Sequence, residues 1–543
     1  MLYRDISIPS AGVFLRRSPE EIPPNGAARL HNLRVDEGLV LSRPGTLAYH
    51  TAPDSKRVID GFTVKLRDGT VRALRCVADG TRYDSGSAWA AITLDAAWTG
   101  GNQDRFWAAV GPWGGTAKGR IFISNGIGIK EWDGVAGNTA SALAGAPPGR
   151  YGLVGPDQRL FVAWLKSGGD KPRQVQWSVP LLPAGGTTDW SNPGSGAISV
   201  DNDSWEITAL WVQNERIFVG KERSIVALDP TGLPRDAYGL SPLQSGREGG
   251  GDGALPGSVA QFGNSVALWS LRDAFVFDGI NLTPVGGAVA RDMFRRLNYS
   301  AVRTITSIVD AANGRVGWGF PLDGASSPSE IWWLEIKTGR WETESRAHTA
   351  VFLHGFSAPI VIDALTATYP PGKINDLLGK INALSSKATT VPKIMLGTEA
   401  GAVSSMDEGS ATDLGSAIAG DYQSPTVSVA GEIIEDAAGR RALSRRDFAV
   451  LDEVRVLLAD RGASYSVDVQ ASTDGGATWT SLGTLALVST HPESARRMVR
   501  KFLTANYPAQ TEVQIRIVNL TTGVKWGFGT ISLALDPTGG NIS

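Results

Sequence analysis

Cysteine is nearly missing from this chain: Cys76 is the single one in 543 residues. No intramolecular disulfide is possible, and a reducing site of synthesis fits. An excess of charge is missing too. Lys and Arg number 52 and Asp and Glu 54, a formal net charge of −2. That speaks against a surface built to coat nucleic acid, which needs a basic face. No apolar run approaches the length of a membrane span. The start, Met1-Leu2-Tyr3-Arg4-Asp5, lacks the charged and apolar regions of a secretory signal. The expectation is a soluble chain made in a cytoplasm.

Recognisable catalytic sets are also lacking. There is no G-x-S-x-G elbow, no H-E-x-x-H and no phosphate-binding P-loop. The five histidines (31, 50, 348, 354 and 491) are scattered, and His348 and His354 have the wrong spacing for two ligands on one helix face. Asp201-Asn202-Asp203-Ser204 is short of the further ligands a calcium loop needs, so a turn is the better reading. Gly246 to Gly253 is glycine-rich but precedes a strand, so no helix N-terminus is available to hold phosphate. Ser472-Thr473-Asp474-Gly475-Gly476-Ala477-Thr478-Trp479 matches the Asp-box pattern known from sialidases, which is a structural turn. No catalytic, cofactor-binding or metal-ligating residue is assigned, and no enzymatic activity is expected.

What is present is a repeat. Ile121–Asp133, Ile217–Asp229 and Val266–Asp278 share one spacing: an apolar run, a turn, a second apolar run and a closing Asp. Sixty-five Gly, 29 Pro and 17 Trp add many turns and bulky packing residues. Seven such hairpins can be read, the others near 62–74, 159–178, 315–336 and 393–407. Internal periodicity of this kind predicts an all-β fold, a β-propeller of about seven blades. Trp132, Trp177, Trp190, Phe277 and Trp341 stand near strand ends, where packing between blades needs flat bulky residues.

The expected organisation has three parts. Residues 1–57 form an N-terminal extended arm, broken by Pro9, Pro19, Pro23, Pro24 and Pro44. Residues 58–420 form the propeller, with a helical insertion near 370–387, where Ile374, Leu377, Leu378, Ile381 and Leu384 recur at helical spacing. A second short amphipathic helix is expected over 288–297. Residues 421–543 alternate with period two and predict a C-terminal β-sandwich. Basic pairs at Arg295-Arg296, Arg440-Arg441, Arg445-Arg446 and Arg496-Arg497 read as solvated faces or ion pairs.

Several pieces, in order, resemble a known family. Pro23-Pro24-Asn25-Gly26-Ala27-Ala28-Arg29-Leu30-His31-Asn32-Leu33-Arg34, followed by Arg43-Pro44-Gly45-Thr46, looks like the opening of phage tail nozzle proteins, also called tail tubular protein B. Gln176-Trp177-Ser178, Asp189-Trp190, Ile217 to Ile225, Phe275 to Gly279, Ile331 to Leu334 and Thr338-Gly339-Arg340-Trp341 continue the likeness over about residues 12–345. The resemblance implies a virion structural protein of a phage tail, assembled in the host cytoplasm. It implies an oligomeric ring, commonly a hexamer, that retains the genome and passes it at ejection. The implied partners are further copies of the chain, other tail proteins (adaptor, portal-proximal proteins, fibres or spikes) and double-stranded DNA in the lumen. The 370–387 insertion is a candidate gate. The alternative is a propeller-based glycan-binding or sialidase-like carbohydrate-active protein, with paired carboxylates or an arginine cluster at the ring centre.

Overall fold

The structure is a computed structural model. It describes residues 2–15, 21–36, 38–112, 119–166, 168–180, 190–192, 194–233, 237–243, 252–355, 392–407, 410–428, 433–435, 441–443, 449–489, 497–509, 512–521 and 523–536. The helical insertion near 370–387, most of the 246–253 loop, and Arg440, Arg445, Arg446 and Arg496 lie outside the described residues.

The chain is an all-β propeller with a C-terminal β-sandwich. Its first unit is Asp60–Lys65, Val71–Val77, Gly80–Asp84 and Trp89–Ala91, each strand antiparallel to the last. Among the described residues, further antiparallel units begin at Trp107, Gly149, Ile207, Ala260, Thr306 and Ala350; those at Gly149, Ile207 and Ala260 are four-stranded, and those at Trp107, Thr306 and Ala350 are parts of five-, ten- and six-stranded sheets. The hairpins read from the sequence fall one to a unit. The first strand of the first unit packs against the first strands of both the second and the last, so the ring closes. That approach is tight: a Cβ on Gly61 would sit 2.1 Å from the Phe352 ring.

Local sequence explains the strands. Second strands such as Leu160–Leu165 and Arg315–Phe320 are buried along their whole length, because each unit is covered on both faces. The closing aspartates cap the turn into the fourth strand. Asp278 accepts from the backbone N–H groups of Ile280 and Asn281, and Asp229 instead takes Arg216 in a bidentate pair at 2.8 and 2.7 Å. Trp132, Trp177, Phe277 and Trp341 are buried, as their positions predicted. Trp269 of the fifth unit meets Trp318 and Trp341 of the sixth with ring centroids 6.1 and 5.6 Å apart. The helix expected over 288–297 is Ala290–Arg296. Its Arg296 pairs with Asp323 at 2.7 Å and Glu330 at 2.6 Å.

Residues 1–57 do more than lie along the surface. Leu2–Ile6, Leu33–Asp36 and Leu39–Ser42 join a sandwich sheet built on Gly527–Asp536, Ala449–Asp460 and Arg497–Ala509. Arg29–His31 bridges Trp341–Ser345 of the sixth unit to Asp421–Gln423 of the second sandwich sheet. Gly45–Ala48 supplies the outer strand of the seventh unit, paired with Val403–Asp407. Proline breaks a continuous strand here, but three- to five-residue pieces fit between the prolines.

The sandwich core follows the alternation. Tyr465, Val467, Val469 and Ala471 face inward from Tyr465–Ser472, as do Val454, Val456 and Leu458 from Ala449–Asp460. Among the described residues no helix is long and apolar enough to cross a membrane.

Candidate functional site

The first strands surround the ring axis and leave a cavity of about 530 Å³. Asp60 lines its wall and is fully enclosed. Its carboxylate takes Arg105 at 2.6 Å and the backbone N–H of Phe106 at 2.8 Å. Burial pushes this carboxyl up to about 6, against the pull of Arg105, the Phe106 N–H and Arg57. Asp104 faces Lys166 at 3.4 Å.

Behind Arg150, a residue of the cavity lining, stands a strained tryptophan. Trp164 has φ +56°, at a bulge between Ala163 and Leu165. A bulky residue in the left-handed region costs about 1–3 kcal/mol and marks a place to look for function. The indole N–H donates to Glu206 Oε2 at 3.0 Å, and Arg303 meets the same oxygen at 3.2 Å. Arg150 lies over the indole face, 3.5 Å from its centroid. Burial, and then the nearby Glu206, raise the Glu222 carboxyl above its ordinary range.

Asp201-Asn202-Asp203-Ser204 already surrounds a cation of the chain itself. The Lys221 ammonium, whose side chain is 0% exposed, donates to Val200 O at 2.8 Å, Asp203 O at 2.9 Å and Asn202 Oδ1 at 3.2 Å, and pairs with Asp203 Oδ1 at 2.5 Å. An ammonium occupies the centre that a calcium ion would need, and among the described residues no metal-ligating cluster is found. Lys221→Met should therefore lower the unfolding free energy by about 2 kcal/mol through unpaired acceptors. Calcium should leave the melting temperature of the unmodified chain unchanged; an upward shift would refute the ammonium reading.

The Asp box forms its turn. Ser472 Oγ donates to Asp474 Oδ1 at 2.6 Å, and Asp474 accepts from the Thr478 N–H at 2.9 Å, with Gly475 and Gly476 at positive φ. These hydrogen bonds from Ser472 and Thr478 hold the Asp474 carboxyl well below the usual range.

The histidines are not as scattered in space as in sequence. Where the seventh unit meets the first, Asp84 accepts from His50 Nε2 at 3.0 Å, His354 Nε2 at 2.6 Å and the Tyr49 hydroxyl at 2.7 Å. Burial opposes its charge, yet the hydrogen bonds from His354, Tyr49, the Gly86 N–H and His50 hold its carboxyl far below the usual range. His348 is separate, buried against Thr306 Oγ1 and the Arg346 carbonyl, both at 2.8 Å. The sequence carried no sign of the Asp84 cluster, because its members come from three distant stretches.

The opening motif Asn32…Arg43-Pro44-Gly45 makes a buried junction. Asn32, at φ +55°, accepts from Arg43 Nε at 2.9 Å and from the Ser345 N–H at 2.8 Å. The Arg43 guanidinium also reaches the carbonyls of Pro44 (3.0 Å) and Ser345 (2.9 Å) and pairs with Asp413. Arg346 donates to the Pro44 carbonyl at 2.7 Å. Gly45 admits no side chain: a Cβ would lie 2.1 Å from the Thr412 carbonyl oxygen.

Comparison with known proteins places the chain in no family: no family model and no curated protein matches it. Among solved structures it is similar to BBS1N in complex with ARL6DN, at 11% identity and TM-score 0.37, over 68% of this chain and 98% of that one. It is also similar to the extracellular domain of a putative one-component system, BT4673, from B. thetaiotaomicron, at 10% identity and TM-score 0.39, over 88% of this chain and 61% of that one. A glycoside hydrolase family 43 arabinoxylan arabinofuranohydrolase from Bacillus subtilis matches at 13% identity and TM-score 0.24, over 90% and 99%. At these TM-scores the likenesses carry no functional argument.

Proposed function

We propose that the chain is a structural protein of a phage tail, a nozzle or head–tail component that assembles into a ring around the DNA channel. The observation that supports this is the junction. The residues carrying the family resemblance at the start of the chain, Asn32, Arg43, Pro44 and Gly45, converge where N-terminal arm, propeller and sandwich meet. Their roles would be mechanical: the buried Arg43 sits between Leu39–Ser42, which pairs with the sandwich, and Gly45–Ala48, which pairs with the seventh unit, and so ties the two β bodies together. A ring subunit needs such a tie, since head-to-tail contacts close only when their angle is fixed.

The sandwich offers a surface for such contacts. Arg497–Ala509, 13 residues long, pairs on one side only among the described residues, and its Phe502 is 67% exposed. An open edge of that length is a template for another chain. Near-neutral charge suits a lumen through which DNA must slide without being gripped. The protein would act by assembly and without catalysis, in the virion, beside adaptor, portal-proximal and fibre or spike proteins.

Negative-stain electron microscopy, on the purified chain and on particles from cells expressing its neighbouring genes, tests this. Rings of about six copies are expected. A chain that stays monomeric alone and is missing from the particles would end the proposal.

A further inference from the structure

The axial cavity holds a feature that ring assembly does not use. We propose that it is a binding site for a small, hydroxyl-rich ligand bearing one carboxylate, an acidic sugar by chemical class, with Arg150 as the carboxylate receptor.

Three observations carry this. The first is a preorganised cation. Among the described residues the Arg150 guanidinium makes no hydrogen bond or ion pair; it stacks on Trp164 at 3.5 Å, lies within electrostatic reach of the Tyr151 hydroxyl, and lines the cavity. A guanidinium fixed by its face keeps its planar N–H fork free, the shape that takes a carboxylate through two parallel hydrogen bonds. Trp164 is itself held in place by Glu206, and Glu206 is neutralised by Arg303. The strained backbone at Trp164 thus has a use: it turns the indole into a shelf for the guanidinium.

The second is the charge count. Arg105 and Arg303 also line the cavity, but they are engaged by Asp60 at 2.6 Å and Glu206 at 3.2 Å. Asp104, the other carboxylate of the lining besides Asp60, faces Lys166 at 3.4 Å, so one cation, Arg150, is left over, which suits a monoanion. A phosphate dianion would need a second.

The third is the polarity of the wall. The hydroxyls of Thr208 and Ser307 donate to the carbonyls of Ala254 and Val259. The Thr63 hydroxyl donates to the Leu353 carbonyl. A hydroxyl engaged as a donor still has lone pairs that accept. The wall is therefore rich in acceptors and calls for a ligand that brings its own O–H donors. Phe62, Trp107 and Phe352 supply apolar surface between them, and about 530 Å³ is within the range of small-ligand sites.

Isothermal titration calorimetry on the full chain, with D-glucuronate, D-glucose and inorganic phosphate as the probes, tests the proposal. Glucuronate should bind, and glucose and phosphate should each bind at least about tenfold more weakly. Arg150→Gln should weaken glucuronate by about tenfold or more, with the circular dichroism spectrum and melting temperature unchanged. The comparison of glucuronate with glucose needs no variant, so it stands even if the substitution disturbs folding. The absence of glucuronate binding at millimolar concentration, equal binding of glucose, phosphate as tight as glucuronate, or a folded Arg150→Gln chain that binds glucuronate unchanged would each overturn it.

Discussion

Replacing Arg43 with methionine should lower the unfolding free energy by about 3–5 kcal/mol, the usual cost of removing one partner from a buried ion pair. The guanidinium side chain is 2% exposed and its partner Asp413 29%. Without Arg43, the Asp413 carboxylate, which burial penalises and Arg43 and Arg346 hold below its ordinary range, loses its closest cation. The Asn32 amide oxygen and the carbonyls of Pro44 and Ser345 lose a donor at the same time. Lysine should rescue little, because a point charge cannot reach four acceptors set out for a planar fork. Urea denaturation followed by tryptophan fluorescence and by circular dichroism reads the loss. The transition should also broaden, since the junction couples propeller to sandwich. A loss under about 1 kcal/mol would mean that the junction contributes little to stability.

The second large effect is with pH. His348 is enclosed by Thr306 and the Arg346 carbonyl, and burial lowers its pKa from 6.5 to about 4, with Arg346 and Arg105 adding repulsion. Between those two values the unfolded chain binds a proton that the folded chain refuses, so folding stability falls as pH falls. The contribution is complete above pH 6.5 and lost by about pH 4, a span worth about 3 kcal/mol. Asp60 acts in the opposite sense. Its folded pKa is raised from 3.8 to about 6, so its ionisation costs stability as pH rises through that window. The two overlap, and His348 must be isolated by difference. His348→Gln keeps a polar partner for Thr306 without a titration, so the stability of the unmodified chain minus that of the variant should rise by about 3 kcal/mol from pH 4 to pH 6.5, the variant keeping only the opposite slope from Asp60. Parallel pH profiles for the two chains would refute the assignment.

The fold was legible wherever its signal is local. A strand–turn–strand phrase writes its alternation and turn residues within a dozen positions, and each of the seven hairpins lies in its own unit. The period-two runs after residue 450 likewise gave the sandwich core. The outer strand of the seventh unit was not legible, because Gly45-Thr46-Leu47-Ala48 shows no pattern of its own and takes its place only through Val403–Asp407. Nor was the Arg150 shelf. Arg150 and Trp164 stand opposite each other on paired strands of the third unit, but Glu206 and Arg303 come from later segments that only the packing of successive units brings to them. The acidic stretch at 201–204 reads as a turn in the sequence, but that a lysine sits at its centre is knowledge that spacing along the chain does not contain.

The borrowed outer strand has a consequence for how the protein comes off the ribosome. Gly45–Ala48 is made early, yet its partner Val403–Asp407 emerges only after the six preceding units have been translated. Until then the nascent chain is an open arc with an uncapped end, and pairing across so long a separation is slow. Ring sealing, and with it the junction at Arg43, is therefore a late event in the life of each new molecule, and incomplete products will be the ones most prone to stick to one another.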